Sequence, residues 1–132
     1  MKRILSIIFL PILLVLFTLS CQKEAGEGGD SSIHGYVHVT DYNASFNYIQ
    51  GEYDGVDLDV YIIYGDDISY GNKTKSGPDG KFEFKYLRKG SYKIYTYSQD
   101  STLSGIAVVS KDIEITEKKE SVDAGTFEIK VN

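Results

Sequence analysis

Thr74-Lys75-Ser76-Gly77-Pro78-Asp79-Gly80-Lys81-Phe82-Glu83-Phe84, continued by Leu87-Arg88-Lys89-Gly90-Ser91-Tyr92-Lys93-Ile94, decides the fold class. Its apolar residues recur every second position: Phe82, Phe84 and Tyr86 alternate with Lys81, Glu83 and Lys85. Period two is a strand with one buried and one wet face, and it excludes an amphipathic helix, whose period is 3.6. Asp79-Gly80 supplies a tight turn before the first strand, because both residues tolerate positive φ. Gly90 permits the reversal into the second, where Tyr92, Ile94 and Thr96 alternate with Lys93, Tyr95 and Tyr97.

The same alternation extends outward in both directions. Val56, Leu58, Val60 and Ile62 are expected on one face of a strand, with Asp57, Asp59, Tyr61 and Ile63 on the other. Ile113 and Ile115 alternate with charged neighbours, as do Phe127, Ile129 and Val131. Turn residues punctuate the runs at Tyr64-Gly65-Asp66-Asp67 and Glu117-Lys118-Lys119-Glu120. Seven strands follow, near 33–40, 56–64, 72–76, 80–87, 91–98, 105–115 and 122–131. That number over one domain predicts an all-β, seven-stranded antiparallel Greek-key sandwich. Phe82 and Phe84 are expected to fill its core.

The order of these segments resembles the carboxypeptidase-regulatory-like family, a transthyretin-like (prealbumin-like) sandwich. The residues carrying the likeness are Gly35-Tyr36-Val37, Val60-Tyr61-Ile62, the Thr74–Phe84 stretch, Leu87–Ile94 and Ala124-Gly125-Thr126-Phe127-Glu128-Ile129. It covers residues 33–132. The resemblance implies an accessory, binding or stalk domain, with no catalytic residues. Some related collagen-adhesin domains form a Lys–Asn isopeptide bond, but Ile33–Thr40 contains no Lys. Transthyretin-like hydroxyisourate hydrolases end in Tyr-Arg-Gly-Ser, whereas this chain ends Glu128-Ile129-Lys130-Val131-Asn132.

Before the domain the chain changes character. Met1-Lys2-Arg3 is basic, Ile4 to Leu19 carries no charge, and Ser20-Cys21 leads into the polar run Gln22–Asp30. This is the layout of a secretory signal, residues 1–20. As a helix, Ile4–Leu19 would reach only about 24 Å, short of the ~30 Å hydrocarbon core, and Pro11 interrupts it. Thr18-Leu19-Ser20-Cys21 resembles a bacterial lipobox, with Leu one place later than usual. That resemblance implies cleavage before Cys21, modification of its thiol with diacylglycerol and acylation of the new α-amine by a palmitate-like chain. Acyl chains contribute ~0.8 kcal/mol per buried CH₂, so several of them anchor stably without a spanning helix. Gln22, rather than Asp, implies the outer membrane by the sorting rule of enteric lipoproteins. Residues 21–32 are then the lipidated Cys and a flexible, Gly-rich tether.

Composition bounds the rest. The 132 residues carry a net charge of −5, one Cys and two His. An acidic chain without clustered Lys/Arg is no nucleic-acid binder. A lone Cys excludes internal disulfides and Cys-only zinc sites. His34 and His38 should share a strand face about 13 Å apart, at ~3.3 Å per residue, too far for one metal ion. Asp57, Asp59, Asp66 and Asp67 form the densest acidic group, but lack a calcium-loop pattern. No cofactor or metal is expected.

The 11 Tyr are the most informative remainder. Tyr42, Tyr48, Tyr53, Tyr61, Tyr95 and Tyr97 form a candidate contact surface, since Tyr joins a flat apolar body to a polar tip. Asp100-Ser101-Thr102 resembles a short O-glycosylation signal of gut-bacterial envelope proteins, with Ser101 as acceptor. The expected function is a lipid-anchored, non-enzymatic binding or assembly module at the outer membrane, facing periplasm or surface, whose partner is an envelope protein or glycan. The alternative is a stalk accessory of a surface or secreted complex. A carbohydrate-recognition module or an enzyme ranks last.

Overall fold

The computed structural model describes residues 24–100 and 105–132. The signal segment, Cys21 and Ser101 lie outside the described residues. Within them the chain forms eight strands and no helix: β1 Glu27–Tyr42, β2 Ile49–Asp54, β3 Asp59–Tyr64, β4 Asn72–Lys75, β5 Lys81–Leu87, β6 Gly90–Gln99, β7 Ile106–Ile115 and β8 Ser121–Val131. The expected count of seven is corrected to eight. The addition, β2, lies in what the sequence reads as a long link, where Gln50, Glu52 and Asp54 alternate with Ile49, Gly51 and Tyr53, a run too short and too polar to mark a buried face. It pairs only with β1, over His38–Tyr42, and its residues are mostly exposed.

Two sheets pack face to face. In one, β8 runs along one edge of β1, while β5 and β2 lie end to end along the other. The second has the order β4-β3-β6-β7. Every pairing is antiparallel except that of β1 with β8, which is parallel from Ser32↔Ser121 to Asp41↔Val131. The expectation of a wholly antiparallel sandwich is corrected here. Parallel partners need a connection through other structure rather than a hairpin, and six strands separate these two.

The core is made from the inward positions of both sheets. Ile33, Val37 and Val39 of β1 meet Phe82, Phe84 and Leu87 of β5 and Phe127 and Ile129 of β8. Opposite them lie Val60 and Ile62 of β3, Tyr92 and Ile94 of β6 and Ile115 of β7. Phe82 sits edge-on to both Phe84 and Phe127, with centroids 6.0 and 5.6 Å apart. The expected turn is present: Gly80 adopts φ +78°, its N–H donates to Gly77 O, and Lys81 N–H donates to Asp79 Oδ1. A Cβ on Gly80 would fall 2.6 Å from the Val37 carbonyl oxygen, so both conformation and space require glycine.

Two inward assignments fail where the backbone turns left-handed. Tyr86 has φ +60° and is 71% exposed, while Leu87 is 1% exposed. The odd conformation breaks the alternation, so Leu87 takes the core position expected for Tyr86. Val56 is likewise exposed, because Asp57 at φ +57° belongs to a turn before β3. Ser76 holds that turn: its hydroxyl donates to Gly55 O and accepts from Leu58 N–H.

The segment expected to be a flexible tether is docked from Glu24 onward. Gly26 N–H donates to the Tyr92 hydroxyl at 2.9 Å, which in turn donates to Arg88 O at 2.6 Å. Arg88 Nε donates to Glu24 O, and Arg88 N–H to Gly26 O. Glu27 accepts from Tyr64 and Asn72, and Ala25 packs against the core. Composition suggested flexibility, since Gly and acidic residues disfavour isolated structure. Tertiary hydrogen bonds to the β5–β6 turn override it.

Candidate functional site

The outward face of the β4-β3-β6-β7 sheet collects aromatic side chains. Val60 and Ile62 point into the core, so Tyr61 between them points out. In β6, buried Ile94, Thr96 and Ser98 leave Tyr95 and Tyr97 outside. The register sets Tyr61 directly opposite Tyr95, and their rings stack at 4.9 Å with an 11° interplanar angle. Tyr97 stands edge-on to both, at 5.6 Å from Tyr61 and 5.8 Å from Tyr95. A fourth ring, Tyr70, comes from the β3–β4 loop and meets Tyr61 edge-on at 5.0 Å. Gly71 N–H donates to Ile62 O, returning the loop to the sheet beside it.

The apolar surface continues onto β7. Tyr97 is opposite Val108, and Gln99 is opposite Ile106. Tyr70 and Tyr97 are 48% and 47% exposed, Val108 57% and Ile106 76%. Exposed aromatic and aliphatic groups in one contiguous patch mark an interaction surface more often than scattered ones do. Charge rims it: Lys75 Nζ lies 3.7 Å from Asp57 and 3.4 Å from Asp59, and Lys93 Nζ lies 3.8 Å from Asp112. Asp59, followed by Asp57, raises the Lys75 pKa. Burial, then Tyr97 and Tyr61, raises that of Tyr95, whose hydroxyl therefore stays a neutral donor and acceptor.

The six tyrosines expected to form one surface divide between the two sheets. Tyr61, Tyr95 and Tyr97 come together. Tyr42, Tyr48 and Tyr53 lie along the β1–β2 hairpin, with Tyr42 against Phe46 at 5.4 Å and beneath Lys130 Nζ at 5.8 Å. Tyr48 and Tyr53 are exposed there and join no ring cluster that includes Tyr61. Sequence reasoning missed Tyr70, which follows no strand period. It also missed Ile106 and Val108, whose alternation with Ala107 and Val109 is visible within the expected 105–115 strand.

Of the remaining His and Asp candidates, His34, His38, Asp57 and Asp59 pair with neighbouring side chains rather than with one another. His34 and His38 do share the outer face of β1, and each meets its own carboxylate because β8 sets Asp123 opposite His34 and Glu128 opposite His38. His38 Nδ1 is 2.6 Å from Glu128, and His34 Nε2 is 3.9 Å from Asp123. Between them, Tyr36 donates to Asp54, which raises its pKa. At Asp57 and Asp59, the Lys75 ammonium occupies the place between the carboxylates. Among the described residues no three His, Cys, Asp or Glu converge as metal ligands.

Against known proteins, no family model matches the chain, and no curated protein matches it. Among solved structures it is similar to a candidate carbohydrate-binding protein from Pseudomonas aeruginosa, at 14% identity and a TM-score of 0.49. The similarity covers 79% of this chain and 91% of that one. At that identity and score it decides nothing about what this chain binds.

Proposed function

We propose that the protein is a non-enzymatic, lipid-anchored envelope module, built on a Greek-key, transthyretin-like sandwich, that holds a protein partner on its tyrosine face. The observation that carries the binding reading is the four-ring cluster of Tyr61, Tyr70, Tyr95 and Tyr97, which continues into exposed Val108 and Ile106. Tyrosine-rich patches with an apolar centre and a charged rim resemble the energetic centres of protein interfaces. A sugar would need a free ring face for stacking. Tyr61 and Tyr95 lay one face on each other, which favours a protein partner meeting ring edges and hydroxyl tips. The anchor and outer-membrane location rest on the Cys21 resemblance and on Gln22.

The test uses the full-length lipoprotein as bait in its native envelope. Tyr70→Ala with Tyr97→Ala removes the two most exposed rings and spares the stacked pair. The expected result is a stoichiometric protein partner held by the unmodified protein and by Tyr53→Ala, and lost from the double variant, which still unfolds cooperatively well above the assay temperature. Equal capture by all three would overturn the reading, as would binding to a purified envelope glycan that the double variant abolishes.

A further inference from the structure

We infer that β7 is a self-pairing edge, joining two copies of this chain through the segment Ile106–Ser110. An open strand edge offers a row of unpaired N–H and C=O groups, and soluble proteins blunt such edges by shortness, charge or bulges. Three of the edges here are blunted. β4 has only four residues, two of them Lys73 and Lys75. β8 is interrupted at Gly125, φ +77°, where its register with β1 shifts. β2 and β5 carry Glu52 and Asp54, and Lys81, Glu83 and Lys85.

β7 differs. It pairs with β6 along all ten residues, and among the described residues no strand pairs with its other edge. Its second half is guarded. Lys111 turns inward, its Nζ 3.1 Å from Ala124 O and 5.0 Å from the Phe127 ring centre, while Asp112 and Glu114 face out. Inward-pointing charge is a known device against edge pairing. The first half, Ile106-Ala107-Val108-Val109-Ser110, carries no charge, and its outward Ile106 and Val108 are exposed.

This charge-free half is complementary to itself. In an antiparallel pair about a two-fold axis, placing Val108 opposite its own copy sets Ile106 opposite Ser110 and Ala107 opposite Val109. All three pairings keep side chains on matching faces. Moving the centre to Val109 or Ser110 would set Ile106 against Asp112 or Glu114, and moving it to Ala107 would shorten the paired stretch of β7 to Ile106–Val108, so Val108 is the favoured centre. Because Tyr97 is opposite Val108, the joined sheet would read Tyr97–Val108–Val108–Tyr97 across the axis. Pairing consumes the edge and leaves the outward face free, so the two tyrosine faces become one. The pairing stands whether or not the tyrosine face binds a protein.

Single-cysteine cross-linking of the full-length chain in its native membrane tests this register. Val108→Cys places two thiols opposite each other, and a short bismaleimide or mild oxidation should link them into a dimer. Ile68→Cys, fully exposed on a loop, measures random collision, and the unmodified chain measures any linkage through Cys21. The expected dimer yield for Val108→Cys is at least about tenfold above both, as a preformed pair raises effective concentration. Adding Ile106→Lys should return it to the control level while the chain stays folded, as its circular dichroism would show. Equal yields from Val108→Cys and Ile68→Cys would overturn the proposal, as would linkage of Val108→Cys only to a different protein. Asp112→Cys should not link to itself, and a dimer at that position would disprove the register.

Discussion

Gly35 lies beneath the ring of Phe82: the two are cross-strand partners in β1 and β5, and a Cβ on residue 35 would fall 2.5 Å from Phe82 Cζ. The closeness lets the ring lie over the β1 backbone and reach Phe127. It explains why a glycine interrupts the inward series Ile33, Val37, Val39. Gly35→Ala should therefore overpack the core at a cost of about 1–3 kcal/mol. Phe84→Ala, which opens a cavity instead, should cost about 3–5 kcal/mol. Urea unfolding of both variants checks the pair, and a Gly35→Ala variant as stable as the parent would remove the close-packing account.

Tyr92 closes the N-terminal clasp. Its hydroxyl bridges Gly26 and Arg88 from a buried position, and burial raises its pKa. Tyr92→Phe keeps the ring but strands the Gly26 N–H, which should cost about 1–3 kcal/mol. Much of that loss should be local. Amide exchange over residues 24–28 should accelerate more than exchange in β6. Uniform acceleration would mean that the segment does not open independently.

Tyr64 gives the clasp a signature at alkaline pH. Burial and the Glu27 carboxylate push its pKa up to about 12 from 10.0. A raised folded-state value means that the neutral form is favoured in the folded protein. This contribution is complete below pH 10, falls as pH rises from 10 to about 12, and is absent above it. Tyr64→Phe should flatten the decline in melting temperature across that window. A parallel decline in parent and variant would assign the alkaline loss to other tyrosines.

Tyr61 touches three rings, whereas Tyr97 touches two and is more exposed. Each aromatic pair contributes about 0.5–1.5 kcal/mol beyond burial. Tyr61→Ala should consequently lower the melting temperature more than Tyr97→Ala does. The reverse order would show that the cluster is not held together at Tyr61.

Cys21→Ala should abolish labelling by palmitate and move the protein from the detergent phase to the aqueous phase. Retained labelling would place the lipid elsewhere or exclude it from this cysteine.

Strand positions were largely legible because alternation is local. Lys81–Phe84 and Tyr92–Tyr97 announce their inner and outer faces within a few residues, and Asp79-Gly80 announces its turn. Three of the four rings of the tyrosine face followed from the same rule, since Tyr61, Tyr95 and Tyr97 are each the outward member of an alternating run. Tyr70 was not legible, because a loop residue has no period and reaches the cluster only through the return at Gly71. The exposure of Val56 and Tyr86 was hidden by left-handed residues, which break alternation without a glycine to advertise them.

By itself the sequence determined that this domain is all-β, where most strands run and most of the side chains that they turn inward. Those properties depend on neighbours one or two residues away. Only the tertiary structure decided that β1 and β8 lie parallel, that residues 24–28 clasp the β5–β6 turn, and that the tyrosines divide between two sheets. Each of these depends on partners more than 60 positions apart, as with Gly26 and Tyr92, or on which sheet a strand joins. A two-residue period carries no information about either.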